Sequence, residues 1–148
     1  MYKNILVAID LSPRSRNALK HAIKLAHLFN SNITLINIHE EFMNKEELIM
    51  SRVSVGKLQE TFKEISLKAK DEFKDLIKNF KGEDIKINIV LHEGKASTEI
   101  INISNKVKPD IIIMGSNGKD SIADYILGTT TDYVVDNSKF PVLVIPNV

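Results

Sequence analysis

The chain has 148 residues, with 20 basic and 19 acidic side chains, a net charge of +1 and no cysteine. This length suits a single domain over residues 1–148, and a hydrophobic fraction of 43% is that of a globular protein. The even charge balance argues against a general nucleic-acid binder, and the lack of cysteine excludes disulfides and Cys-ligated zinc. With no apolar run of membrane-spanning length and no signal-peptide pattern, we expect a cytoplasmic protein with no membrane partner.

The first part of the chain alternates short apolar runs with a helical pattern. Residues 4–9 predict a buried strand, which Asp10 interrupts at its carboxyl end. Ser12 and Pro13 predict a helix start, with serine as N-cap and proline at the first helical position. This helix should end at residues 30–32, before a second strand over residues 33–38. Residues 42–56 are polar, lack a clear period and predict a loop with room for one helical turn.

The middle of the chain contains the strongest helical pattern. Apolar residues keep near-ideal 3.6 spacing over residues 58–80, and Lys81 and Gly82 should end that helix. Residues 84–92 alternate isoleucine or leucine with polar residues, which predicts a half-exposed strand at a sheet edge. Gly94 should turn the chain into another helix, whose packed face would contain four apolar residues: Ala96, Ile100, Ile103 and Val107.

The last third contains two more strand patterns. Residues 110–114, apolar from Ile111 onwards, form a run typical of a strand buried on both faces, and residues 142–145 predict a fifth strand. Between them, residues 130–137 predict a short helix with Tyr133 and Val134 facing inward.

Strands that alternate with helices predict an α/β fold, a five-stranded parallel sheet with helices on both faces. The first and fourth strands are the most apolar, so we expect them in the centre, giving the order 3-2-1-4-5. The winding then reverses between their carboxyl ends, where open α/β sheets bind ligands.

A glycine pattern follows the fourth strand. Gly115 and Gly118 are followed after nine residues by Gly128, Thr129 and Thr130, which gives G-x2-G-x9-G-(S/T). Gly115 and Gly118 alone would favour an ordinary turn. The third glycine with its hydroxyl pair favours a phosphate site at a helix N-terminus, where unpaired N–H groups and the helix dipole attract anions. The Walker A loop and the G-x-G-x-x-G fingerprint are both absent from the sequence.

This segment resembles the nucleotide-binding signature of the universal stress protein family, in its ATP-binding branch. The start of the chain, K-N-I-L-V-A-I-D-L-S-P-R-S-R-N-A-L at residues 3–19, is similar to the first strand and turn of that family. The end, P-V-L-V-I-P at residues 141–146, is similar to its last strand. The resemblance extends over the whole chain and implies the same strand order, a Rossmann-like fold of the adenine nucleotide α-hydrolase type.

The resemblance implies a site for ATP, ADP or AMP, with or without Mg²⁺. Asp10 would contact nucleotide hydroxyls or a phosphate-bound Mg²⁺, and otherwise would only cap the next helix. Many family members have glycine where this chain has Leu11. Ile38 would meet adenine through its backbone. The complete expected site is Asp10, Leu11, Ser12, Ile38, Met114, Gly115, Ser116, Gly118, Gly128, Thr129 and Thr130.

The four histidines do not have metal-ligand spacing. His21 and His27 are six residues apart on one predicted helix, and we expect both at the surface. His39 and His92 end two neighbouring predicted strands, where the two side chains could approach one another.

The favoured function is that of an ATP-binding regulatory or stress-response module. The alternative is a slow ATPase or a nucleotide-dependent group-transfer enzyme, but no acid–base pair accompanies the glycines beyond Asp10. A response-regulator receiver is excluded, because His92-Glu93 and Ile145-Pro146 stand where it needs aspartate and lysine. An FMN-binding flavodoxin-like module is a more distant alternative.

We also expect a homodimer. Residues 142–145 form an apolar strand at a predicted sheet edge, which is prone to pairing unless it is covered. The resemblance implies pairing of two such last strands across a two-fold axis.

Overall fold

A computed structural model describes residues 1–40, 55–116 and 127–146. Within those ranges the strands are β1 (Asn4–Ala8), β2 (Asn32–His39), β3 (Ile87–Glu93), β4 (Ile111–Gly115) and β5 (Val142–Ile145). The helices are α1 (Pro13–Phe29), α2 (Val55–Asn79), α3 (Ala96–Val107) and α4 (Thr129–Asn137).

The five strands form one parallel sheet in the order β3-β2-β1-β4-β5. The predicted order is therefore confirmed, with β1 and β4 adjacent in the centre. Their register pairs Ala8 with Met114, so the two strands end at the same level. This reversal of winding places a crevice between the carboxyl ends of β1 and β4.

Each face of the sheet packs against two helices. Odd-numbered residues of β1, including Ile5 and Val7, pack with α1 and α2 in a cluster that contains Leu19 and Phe73. Leu6 lies on the opposite face, in a second cluster with Ile100 of α3 and Val134 of α4. The side chains alternate because the pleat has a period of two, so both faces of the central strands are buried.

The helices begin and end largely as their sequences predict. Ser12 caps α1, its Oγ accepting a hydrogen bond from Ser15 N, and Pro13 is the first helical residue. At the other ends, Asn30, Lys81 and Lys108 all adopt positive φ, of 53°, 58° and 51°. These residues take the left-handed conformation that ends helices and that glycine most often supplies.

The predictions that two side chains face inward, those of Tyr133 and Val107, are wrong. Tyr133 is 40% exposed, because the buried stripe of α4 runs through Thr131 and Val134, three residues apart. Val107 is also 40% exposed, and α3 instead buries two serines beside Ile100. These are Ser97 and Ser104, and because a buried serine is small and polar, a search for apolar spacing overlooks it.

Other predicted boundaries shift by a few residues. The predicted strand over residues 84–92 begins only at Ile87, after a turn that includes Asp84, and it lies at the sheet edge as predicted. Most of the predicted loop at residues 42–56 lies outside the described residues, and its last two residues belong to α2. None of the helices in the described ranges is long and apolar enough to cross a membrane.

Candidate functional site

The turn after β1 is held by the side chain of Asp10. Its Oδ1 accepts hydrogen bonds from Ser12 N at 2.9 Å and from Ser15 Oγ at 2.7 Å. The first contact is the local two-residue turn that aspartate favours, and the second fastens the carboxylate to α1. Ser15 is only 5% exposed, so this hydrogen-bond network is anchored in the protein interior. The network fixes the Asp10 carboxylate at the edge of the crevice.

Leu11 takes the conformation that glycine adopts freely. Its φ is 67°, which costs an ordinary L-residue roughly 1–2 kcal/mol. The half-buried Leu11 side chain packs against the core cluster on the α1 face, and its carbonyl accepts a hydrogen bond from Arg16 Nε at 3.2 Å. Leucine therefore follows a glycine-type backbone path here, and its packing offsets part of the strain.

The opposite wall of the crevice joins the end of β4 to the start of α4. Gly128 N donates to Ser116 O at 2.8 Å, and Ser116 N donates to Ile145 O at 2.8 Å. The buried Thr131 hydroxyl donates to Gly115 O at 2.8 Å. These three bonds fix the N-terminus of α4 beside the carboxyl ends of β4 and β5.

The N-terminus of α4 has no side-chain cap, because its N-cap residue is Gly128, with φ of −61° and ψ of 156°. Thr129 is exposed and Thr130 is half-buried. The first N–H groups of a helix have no partner within the helix, so an uncapped start offers donors and a partial positive charge. Nearby, Ser116 Oγ is buried without a hydrogen-bond partner among the described residues.

At the neighbouring strand, the backbone of Ile38 faces the place where β1 has ended. Ile9 N donates to Ile36 O at 3.1 Å, so the N–H and C=O groups of Ile36 point towards β1. Backbone groups two residues apart on a strand point to the same side, so those of Ile38 do the same. The paired register of β1 stops at Ala8, and Ile38 therefore presents one donor and one acceptor towards the crevice.

The structure brings most of the predicted site residues to this edge of the sheet. Asp10, Leu11 and Ser12 form the turn after β1, and Ile38 lies near the end of β2. The remaining described members line the end of β4 or the start of α4: Met114, Gly115, Ser116, Gly128, Thr129 and Thr130. The side chain of Met114 is buried in the core, on the face of the sheet that α3 and α4 cover. Gly118 lies outside the described residues.

Three polar residues at this edge were missed from the sequence. Ser15 and Thr131 act through hydroxyl bonds to Asp10 and Gly115, and Asn37 Nδ2 donates to Ile9 O at 2.9 Å. The sequence offers one feature that could have identified Asn37: it is a polar residue near the end of the strand pattern I-T-L-I-N-I. Serine and threonine in helical first turns are too common to stand out.

The histidines lie away from the crevice or on opposite faces of the sheet. His21 and His27 are exposed, as predicted. The β2–β3 register pairs His92 with Ile38 and places His39 one residue further, so their side chains lie on opposite faces and the suggested approach is wrong. His92 Nε2 pairs with Glu99 Oε2 at 2.9 Å, and the His39 ring packs edge-on against Phe62.

A polar depression of about 270 Å³ lies at the amino ends of β2 and β3, far from the crevice. His27 Nε2 and Asp84 Oδ1 meet there at 2.9 Å, and this hydrogen bond lowers the pKa of Asp84. Ligands of open parallel sheets bind at the carboxyl ends, so we do not take this depression as the functional site. Within the described ranges, no group of three or more histidine or acidic residues could hold a metal ion.

The sequence model of the universal stress protein family matches residues 1–146 of this chain. The chain belongs to the universal stress protein family. Universal stress protein MJ0577 of Methanocaldococcus jannaschii is 32% identical over 154 residues, covering 98% of this chain and 95% of that protein. The solved structure of MJ0577 superposes with a TM-score of 0.79 at 29% identity and covers 98% of this chain and 96% of its own.

Two further solved family structures share the fold at lower identity. A universal stress protein in complex with cAMP has a TM-score of 0.65 at 22% identity, covering 99% of this chain and 98% of its own. The Archaeoglobus fulgidus universal stress protein in complex with dAMP has a TM-score of 0.64 at 16% identity, covering 97% and 98%. At these identities the likeness shows only the fold, the five-stranded parallel sheet in the order β3-β2-β1-β4-β5.

Proposed function

We propose that this chain binds an adenine nucleotide in the crevice between β1 and β4 and acts as a nucleotide-dependent stress-response module. The observation that carries the proposal is the uncapped N-terminus of α4, which opens at the point where the winding of the sheet reverses. Such a helix start binds phosphate oxygens through its N–H groups and its dipole. The cAMP and dAMP complexes of two family members support an adenine nucleotide as the ligand class.

The phosphates of ATP would lie against Gly128, Thr129 and Thr130. Gly128 leaves the helix start without a side chain, so phosphate oxygens have direct access to the N–H groups. The hydroxyls of the two threonines would add further donors, and the family resemblance assigns Gly115 and Gly118 to a close approach of the ribose and phosphates. ADP and AMP would use the same residues with fewer phosphate contacts.

The base would be recognised by the backbone of Ile38. Its N–H and C=O form a donor–acceptor pair directed at the crevice. Adenine offers the complementary pair, a ring nitrogen acceptor beside the N6 amino donor. Guanine carries an O6 acceptor in place of that amino group, so this backbone pair favours adenine.

Asp10 is the carboxylate that would bind Mg²⁺ held by the nucleotide phosphates. Carboxylate oxygen is a preferred ligand of Mg²⁺, which commonly bridges one or two carboxylates and substrate phosphates. The hydrogen bonds from Ser12 N and Ser15 Oγ set the orientation of this carboxylate. Leu11 and Ser12 shape the turn that carries it.

We further propose that the chain works as a homodimer through β5. This strand is at the edge of the sheet, and its register with β4 directs the N–H and C=O groups of Val142 and Val144 away from the sheet. An unpaired apolar edge pairs readily with another strand, and a two-fold axis lets the same edge pair with itself. A Val144→Lys variant should dissociate, and a wild-type monomer in sedimentation at micromolar concentration would refute the dimer.

The nucleotide proposal is tested by releasing ligand from the natively purified protein and identifying it by mass spectrometry. The expected ligand is ATP, ADP or AMP, and flavin or guanine nucleotide would contradict the proposal. With Mg²⁺-ATP we expect turnover below about one per second, the lower end of the ordinary enzyme range. Faster turnover that Asp10→Asn abolishes would favour the enzyme alternative.

A further inference from the structure

The ladder between β1 and β2 stops one hydrogen bond early. After Ile9 N donates to Ile36 O, a regular parallel ladder would continue with Ile38 N donating to Ile9 O. Ile9 O accepts instead from the side-chain amide of Asn37, at a distance of 2.9 Å between Nδ2 and O. The Asn37 side chain thus occupies the position that the Ile38 N–H would otherwise take.

The other polar atom of the Asn37 side chain, Oδ1, is buried at an energetic cost. The residue is 3% exposed, and its Oδ1 is buried without a hydrogen-bond partner among the described residues. Leaving a buried polar atom unpaired opposes folding, whereas an apolar residue of similar shape would avoid that loss. The other buried residues on this face of β2, Ile33 and Leu35, are apolar. Core packing therefore does not account for an asparagine at this position.

We propose that Asn37 is a positioning residue for base recognition: it satisfies Ile9 O and so keeps the Ile38 N–H available for the nucleotide base. This inference rests on the proposed nucleotide site. Without the Asn37 amide, Ile9 O would need a donor, and Ile38 N–H is the next one along the strand. Closing that bond would remove the donor of the pair facing adenine and leave the Ile38 carbonyl.

The first test needs no nucleotide. In the apo protein, amide hydrogen exchange of Ile38 is compared between wild type and Asn37→Leu, which has similar volume and no donor. We expect Ile38 to exchange readily in wild type and at least about tenfold more slowly in the variant, as its N–H pairs with Ile9 O. Equal Ile38 exchange rates in the two folded proteins would overturn the inference. Asn37→Ala lacks the donor as well and gives the same comparison if the leucine variant is unfolded.

The second test uses nucleotide analogues, 1-deaza-ATP and 7-deaza-ATP, each of which lacks one ring acceptor beside the N6 amino group. Wild type should bind one of them about tenfold more weakly than ATP, the usual effect of one lost hydrogen bond. The Asn37→Leu variant should bind that analogue and ATP equally. The same discrimination in both proteins would refute the role of Asn37 and leave nucleotide binding intact. Failure of wild type to bind ATP would refute the proposed function itself, whatever the exchange rates show.

Discussion

The polar groups at the amino ends of the strands are paired differently from those at the carboxyl ends, and these two sides of the sheet are called the amino edge and the carboxyl edge. At the amino edge, protein groups pair with one another: Asn4 N donates to Asp110 Oδ2, and Asp110 N donates back to Asn4 O, both at 2.8 Å. Lys3 Nζ similarly donates to Phe29 O at the end of α1. These contacts join β1 to the segments around it and close that edge.

The carboxyl edge leaves comparable groups directed at a crevice. The helix start at Gly128 has no side-chain cap, the Ile38 backbone faces the end of β1, and Ser116 Oγ has no described partner. Buried polar groups are nearly always paired in native proteins, so the buried Ser116 hydroxyl and the uncapped helix start are consistent with the proposed ligand site. The comparison indicates that the contacts of the closed edge maintain the fold, whereas the carboxyl edge offers groups to the proposed nucleotide.

The largest expected effect comes from Gly128→Asp. Aspartate is a good N-cap, and Gly128 already has the extended φ and ψ of an N-cap, so the apo protein should gain a few tenths of a kcal/mol. The added carboxylate would repel nucleotide phosphates by about 4 kcal/mol at 4 Å near a protein surface. We expect at least a hundredfold weaker ATP binding by calorimetry.

Gly128→Ser is the matched control for that variant, because it caps the helix without adding charge. Its ATP affinity should lie between those of wild type and the aspartate variant. If Gly128→Asp binds ATP as tightly as wild type, the phosphates do not lie at α4, although nucleotide binding itself would stand.

A pair of buried serines allows a direct comparison of the two edges. Ser15 and Ser31 are each 5% exposed, and their hydroxyls donate to Asp10 Oδ1 and Tyr2 O respectively. Each serine-to-alanine change should lower the free energy of unfolding by about 1–3 kcal/mol, since it removes the hydrogen bond that the serine hydroxyl donates. Only Ser15→Ala should also weaken Mg²⁺-ATP binding, by about tenfold, because it removes one of the hydrogen bonds that orient the Asp10 carboxylate.

Chemical denaturation and calorimetry of both variants measure these quantities. Equal loss of ATP affinity in Ser31→Ala would mean that stability alone controls binding. In that case the proposed difference between the edges would be wrong.

The smallest effect is expected at Asp84, on the closed edge. The hydrogen bond from His27 lowers the pKa of this carboxyl below 3.8 in the folded state. A lowered folded-state pKa contributes stability above the unfolded value, and that contribution is lost as the pH falls through the folded-state pKa. Asp84→Asn should therefore slightly flatten the pH dependence of melting below about pH 4 and leave ATP binding unchanged. A weakened ATP affinity in this variant would contradict the assignment of the site.

The strand order could be predicted from the sequence, for a physical reason. A run such as residues 111–114 is apolar on both faces of the sheet, which is typical of a central strand, and β1 and β4 are in fact adjacent in the centre. The Ser12-Pro13 helix start was also correct, because capping depends on a few adjacent residues.

The errors and omissions share a different cause, which is that they depend on contacts between distant segments. Local spacing predicts an inward-facing Tyr133, but the buried residues of α4 are Thr131 and Val134. The hydrogen bond from Asn37 to Ile9 joins residues 28 apart in the chain and exists only once β1 and β2 pair. Local patterns carry no information on such pairings.

The central claim is tested most directly by the melting temperature of the wild-type protein with Mg²⁺-ATP. At about a hundredfold its dissociation constant, a bound ligand stabilises the native state by roughly 2.7 kcal/mol. For a domain of this size we predict a rise of roughly 5–10 °C. The absence of any rise with ATP, ADP and AMP would contradict the account.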